Sequence, residues 1–145
     1  MTISVADIRT AVFNELKLAG SPMITAANTI DYYHGEAQDI AALVQQMTIL
    51  FPACLICDGG STFSGFKGSR VENVTLLLVY AAKHAAGKLD LQTQIDAMYE
   101  AGKAQLIDKT LGLYINPLIP GPKRMQLVTR EFSIYSHQFT TFFAL

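Results

Sequence analysis

Apolar residues recur along the chain with two periods, and the switches between them mark out the elements. Val5, Ile8, Val12 and Leu16 fall at helical spacing, with Arg9, Asn14 and Lys17 turned away from the stripe. Ser4 suits the N-cap, and Asp7 follows three residues later, where a carboxylate favours a helix N-terminus. Gly20 and Pro22 stop this first helix. Thr29–Tyr33 is expected to form a short strand. Ile40, Leu43, Val44, Met47 and Leu50 restore the helical stripe and predict a second helix over about 37–49. Pro52 ends it and makes Phe51 extended. Ala53–Cys57 is a short apolar run closed by Asp58-Gly59-Gly60, the pattern of a buried strand meeting a turn.

Residues 59–70, GGSTFSGFKGSR, are rich in glycine and serine and are expected to form a long loop. The period then becomes two. From Val71 to Ala82, Val74, Leu76, Leu78 and Tyr80 share one strand face, and Val71, Thr75, Leu77 and Val79 share the other. Apolar residues on both faces predict a central strand covered on both sides. Asp90 suits the cap of a third helix reaching about Lys109, with Leu91, Ile95, Met98 and Leu106 buried and Gly102 allowing close approach. PLIPGP (117–122) is expected to be a stiff connector. Residues 124–131 and 132–144, rich in Phe, Ile, Thr and Tyr, are expected to be strands. The order predicts an α+β domain over residues 1–145, with a mainly antiparallel sheet, about three helices packed on one face, and a long loop between two central strands.

The composition narrows the function. At 145 residues the chain has the size of one domain and buries roughly 68–70% of its unfolded surface, enough to fold without disulfides or metals. Half the residues are apolar and 16% are charged, a surplus that points to a partner. The net charge of −1 and the small basic spots Lys67/Arg70 and Lys123/Arg124 argue against sequence-specific nucleic-acid binding. The start, MTISVADIR, does not resemble a secretory signal. The longest apolar run, Leu76–Ala82, falls well short of the ~20 residues a bilayer needs. A cytoplasmic protein with no membrane role is expected.

The candidate chemistry is weak at each place it arises. Cys54 and Cys57 form a C-x-x-C, but within a strand-like run. Their Cα atoms would lie about 10 Å apart with opposed side chains, beyond the roughly 7 Å a disulfide tolerates. Two reduced, silent thiols are expected. His34, His84 and His137 are scattered and lack ligand spacing, so no metal site is expected. Ser61 with His84 and Asp58 lacks the nucleophile elbow. The glycines of 59–68 lack the lysine and helix of a phosphate-binding loop. No catalytic residue and no cofactor site is assigned. Phe63 and Phe66 do stand out, as two large aromatics in a Gly/Ser-rich segment. Either they fold back under their own hairpin, or they anchor a neighbouring protein with Lys67 and Arg70 as a polar rim.

The segment FPACLICDGG (51–60) lies between an amphipathic N-terminal helix and a long strand, followed by a long helix and a C-terminal strand pair. In this order the chain resembles the tail-terminator (minor tail) proteins of Mu-like phages and prophages over nearly its whole length. The resemblance implies a non-enzymatic protein that forms a ring of six subunits at the head-proximal end of the tail. It implies contacts with tail tube or sheath protein and with the neck, and a place in the host cytoplasm during assembly and then in the virion tail. With helices gathered on one side, the opposite sheet face is expected to be bare. Leu77 and Val79 lie on that face, and with Phe63, Phe66, Lys67 and Arg70 they make up the candidate assembly surface. The alternatives are a head–tail connector of the neck and, from another class, a small-molecule-binding or enzymatic α+β domain.

Overall fold

The computed structural model describes residues 3–33, 50–83 and 88–145. The helix expected over 37–49, together with His34 and His84, lies outside them. Helix α1 (Val5–Leu16) starts as its sequence dictates. The Ser4 hydroxyl accepts from the Asp7 amide at 3.2 Å, and the Ser4 amide donates to the Asp7 carboxylate at 2.8 Å. A second short helix, α2 (Pro22–Ala26), begins where only a stop was expected. Ser21 caps it and Pro22 takes its first turn, where proline's missing N–H costs nothing. Then come β1 (Thr29–Tyr33), β2 (Ala53–Ser64), β3 (Val71–Lys83), α3 (Lys88–Leu106), β4 (Ile119–Val128) and β5 (Phe132–Ala144). α3 starts earlier than expected, which places Asp90 in its first turn, and it ends earlier too.

The five strands form one sheet in the order β1-β2-β3-β5-β4, with β1 and β2 parallel and every other pair antiparallel. This is the α+β fold expected. Two boundaries differ from expectation. Residues 59–64 belong to β2 and are not loop, and the proline segment from Ile119 to Pro122 opens β4 and is not a connector. β4 is an edge strand, and an edge tolerates proline because one row of its amides has no ladder partner to serve. The pairing slips between Pro120 and Lys123, where Gly121 lies close against Gln138.

The three described helices pack on one face of the sheet. Ile8, Val12 and Leu16 of α1, Met23 of α2, and Leu91, Ile95, Met98 and Leu106 of α3 are buried there. They meet Cys54 and Ile56 of β2 and Val74, Leu76, Leu78 and Tyr80 of β3, the strand face that the alternation marks out. Gly102 of α3 sits over Tyr80, and a Cβ there would collide with the Tyr80 hydroxyl. Gln105 ties the helix layer together. Its carbonyl oxygen accepts from the Met23 amide at 2.9 Å, and its amide donates to the Glu15 carbonyl at 2.8 Å. One side chain thus satisfies a free amide at the start of α2 and adds a bond to the Glu15 carbonyl near the end of α1, which also accepts from the Leu18 amide at 3.3 Å.

The second sheet face is not bare. Tyr33, Leu55, Cys57, Val79, Ala81 and Ile134 form a buried cluster on it, with Phe51, Leu77 and Leu127 packed against its margin. Val79 is fully buried. β3 is therefore covered on both faces through its second half, as its two-sided apolar pattern requires. This corrects the expectation that Val79 lies on an open face: it is a core residue and cannot meet a partner.

Candidate functional site

The far end of the β2–β3 hairpin is an exposed projection of the fold. β2 is buried from Ala53 to Cys57 and exposed from Asp58 to Ser64. A bulge separates the two halves, where the register with β3 shifts between Asp58 and Ser61. Gly60 (φ 97°) adopts a conformation closed to most side chains, and its amide donates to the Asp58 carboxylate at 2.8 Å. Gly59 lies so close to Thr75 that a Cβ would clash. The bulge also reverses the alternation of β2. Before it Cys54 is paired with Tyr80, and after it Phe63 is paired with Glu72, so odd-numbered residues of β2 move to the helix side.

Beyond the bulge the strands stay paired to Ser64 and Val71. The turn between them uses Gly65 and Gly68, both at φ 90°, and the Ser69 amide donates to the Phe66 carbonyl at 2.9 Å. Every residue from Ser61 to Arg70 is exposed. Phe63 is 61% exposed and Phe66 85% exposed, so neither folds back under the hairpin. Lys67, Gly68, Arg70 and the C-terminal Leu145 line a shallow hollow, and the Leu145 amide donates to the Arg70 carbonyl at 3.0 Å.

Phe63, Phe66, Lys67 and Arg70 are thus brought together on one projection. Leu77 is not among them. It pairs with Cys57, while Phe63 pairs with Glu72 five residues away along β3, about 17 Å of strand. Leu77 lies half-buried at the margin of the second cluster. The sequence reading missed Phe142 and Leu145, which are also exposed at this end of the sheet. A signal for Phe142 was present. Phe142 and Phe143 are consecutive in a strand, so one of them must face outward; Phe143 is buried and Phe142 is the exposed one.

The groups with chemical potential lie in the core. Cys54 faces the helices and Cys57 the second cluster, and both are free thiols. Burial pushes the Cys57 thiol up to about 12 and that of Cys54 higher still, with the neighbouring Cys57 adding to the Cys54 shift. His137 is buried beneath α3, with its Nδ1 3.1 Å from the Tyr80 hydroxyl and its ring against Tyr99 and Phe139. Desolvation, then Lys103 and Lys123, push it down to about 4, so it is neutral at pH 7. These two lysines lie over the Tyr99 ring at 4.5 and 4.2 Å. No cluster of three metal-ligating side chains occurs among the described residues, and no described helix is long and apolar enough to cross a membrane.

No protein-family model matches the chain, and no curated protein matches it. Among solved structures it is similar to a chain in the virion of a native gene transfer agent particle, with a TM-score of 0.68 and 10% identity. The similarity covers 99% of this chain and 100% of that one. At that identity the likeness is one of fold, and it runs from end to end of both chains.

Proposed function

We propose that this chain is a non-enzymatic structural protein of a phage-like virion and that it acts as a tail terminator. In this role a closed ring of copies, six by the sequence resemblance, caps the tail tube or sheath at its head-proximal end and presents a surface to the neck. The observation that carries the reading is the fold shared over both full lengths with a virion chain. The exposed hairpin supports it. Burying a phenylalanine side chain is worth about 1.5–3 kcal/mol, and Phe63 and Phe66 forgo most of that while they face solvent.

A head–tail connector of the neck is the second reading, since it too would be a virion component with an exposed anchoring hairpin. The two differ in where the protein sits. Purified tails carrying a gold-labelled copy of the chain, viewed by electron microscopy, separate them. A single band of label at the head-proximal end of headless tails is expected. Label confined to heads would favour the connector, and label along the tube would contradict both.

A further inference from the structure

The same chain that projects an aromatic knob also carries a groove able to receive it. Between α2 and α3 lies a shallow, open groove of about 620 Å³, lined by Pro22, Thr25 and Ala26 of α2 and by Ala97, Glu100, Ala101 and Ala104 of α3. Small side chains on both helices make this wall concave, and its surface is mainly apolar. Glu100 lines the groove and pairs with Lys103 at 2.8 Å, and Asp96 is exposed one turn before it on α3. The hairpin tip is the complement in shape and in charge. Phe66 projects from it, and Lys67 and Arg70 have no carboxylate partner among the described residues. The knob belongs to the far end of the sheet and the groove to the outside of the helix layer, so they are two different patches of one chain. Passed from each copy to the next, and not exchanged within a pair, such a contact is head-to-tail, the kind that closes into a ring.

We propose that Phe66 of one copy seats in the α2–α3 groove of the next, with Lys67 and Arg70 meeting Glu100 and Asp96. The occupant of the groove is a second copy of this chain. The proposal rests on the ring reading above and specifies the contact that builds the ring. As a central, buried anchor, Phe66 would be a hot spot whose truncation weakens subunit association about 30-fold.

The test places one exposed thiol on each side of the contact, in a protein whose native thiols are buried. Rings on tail tubes carrying both Ser69→Cys and Ala104→Cys, two exposed positions that leave Phe66 in place, are treated with a short bismaleimide. A ladder of linked chains is expected from the double variant, and single chains from either substitution alone. Rings that are visible by electron microscopy but give no ladder would overturn this contact and leave the ring reading standing. A wild-type chain that forms no ring on tail tubes would overturn the ring reading and the contact with it. Charge exchange gives a second measurement that does not depend on cross-linking geometry. Arg70→Glu should weaken assembly, and adding Glu100→Arg should restore it; an additive loss in the double variant would contradict the pairing.

Discussion

His137 is 1% exposed on the helix side of β5, and its surroundings set its chemistry. The groups around it are the Tyr80 hydroxyl, the rings of Tyr99 and Phe139, and the ammonium groups of Lys103 and Lys123. None of these compensates a charged imidazole, so folding lowers the pKa from 6.5 to about 4. Between those two values the unfolded chain takes up a proton that the folded chain refuses. The stability this group contributes is therefore complete above about pH 6.5 and is lost as pH falls towards 4, by roughly 3 kcal/mol at most. Urea unfolding at several pH values should show this slope in the wild type and a flatter one in His137→Gln; equal slopes would contradict it. Cys54 and Cys57 follow the same logic. Their raised pKa values leave almost no thiolate near neutrality, so a thiol reagent should label the native chain slowly and the unfolded chain rapidly. Fast labelling of the native chain would contradict the packing described.

Among the elements, the contact of α3 with β3 is the most demanding. Gly102 gives the Tyr80 hydroxyl the room to reach His137, and alanine there must displace one or the other. Gly102→Ala should cost about 1–3 kcal/mol of stability by overpacking, despite alanine's better helix propensity; thermal unfolding measures it. The hairpin is the opposite case. Phe66→Ala should leave stability within about 0.5 kcal/mol of wild type, because the side chain is 85% exposed, while weakening assembly about 30-fold. Equilibrium unfolding beside a tube-binding assay separates the two effects, and a large loss of stability would place Phe66 in the subunit's own core.

The elements differ in how far their sequences announce them, for physical reasons. Strand alternation placed Cys54 and Cys57 on opposite faces and divided β3 correctly, because a period of two is set by backbone geometry alone. α2 is not announced by the apolar pattern, because Pro22 reads as a stop for α1, yet with Ser21 before it the pair makes a helix start. Residues 59–64 have the composition of a loop, yet they are strand. Their pairing is supplied by the backbone of β3 and helped by Asn73, whose side-chain amide donates to the Ser64 hydroxyl at 3.1 Å. The prolines of 119–122 fit a strand only because β4 lies at the sheet edge, which is a property of the topology and not of the segment. Of the candidate surface, Phe63, Phe66, Lys67 and Arg70 were legible as aromatics and charges in a polar segment. Val79 was misplaced because an apolar strand residue looks the same whether its face is covered or open. The α2–α3 groove was not legible, since it needs an unforeseen helix beside another.

At the scale of the whole molecule, the fold divides its labour between a closed core and an open end. Two buried clusters on the two sheet faces hold the subunit together, and part of the apolar surplus of the sequence emerges as the exposed side chains of Phe63, Phe66, Phe142 and Leu145 at one end of the sheet. That arrangement suits a subunit whose stability does not depend on assembly and whose assembly depends on a few anchors. The central claim, that this protein ends tail growth and joins the tail to the neck, is tested most directly by electron microscopy of particles made without it. Overlong or headless tails are the expected result. Tails of normal length joined normally to heads would contradict the account.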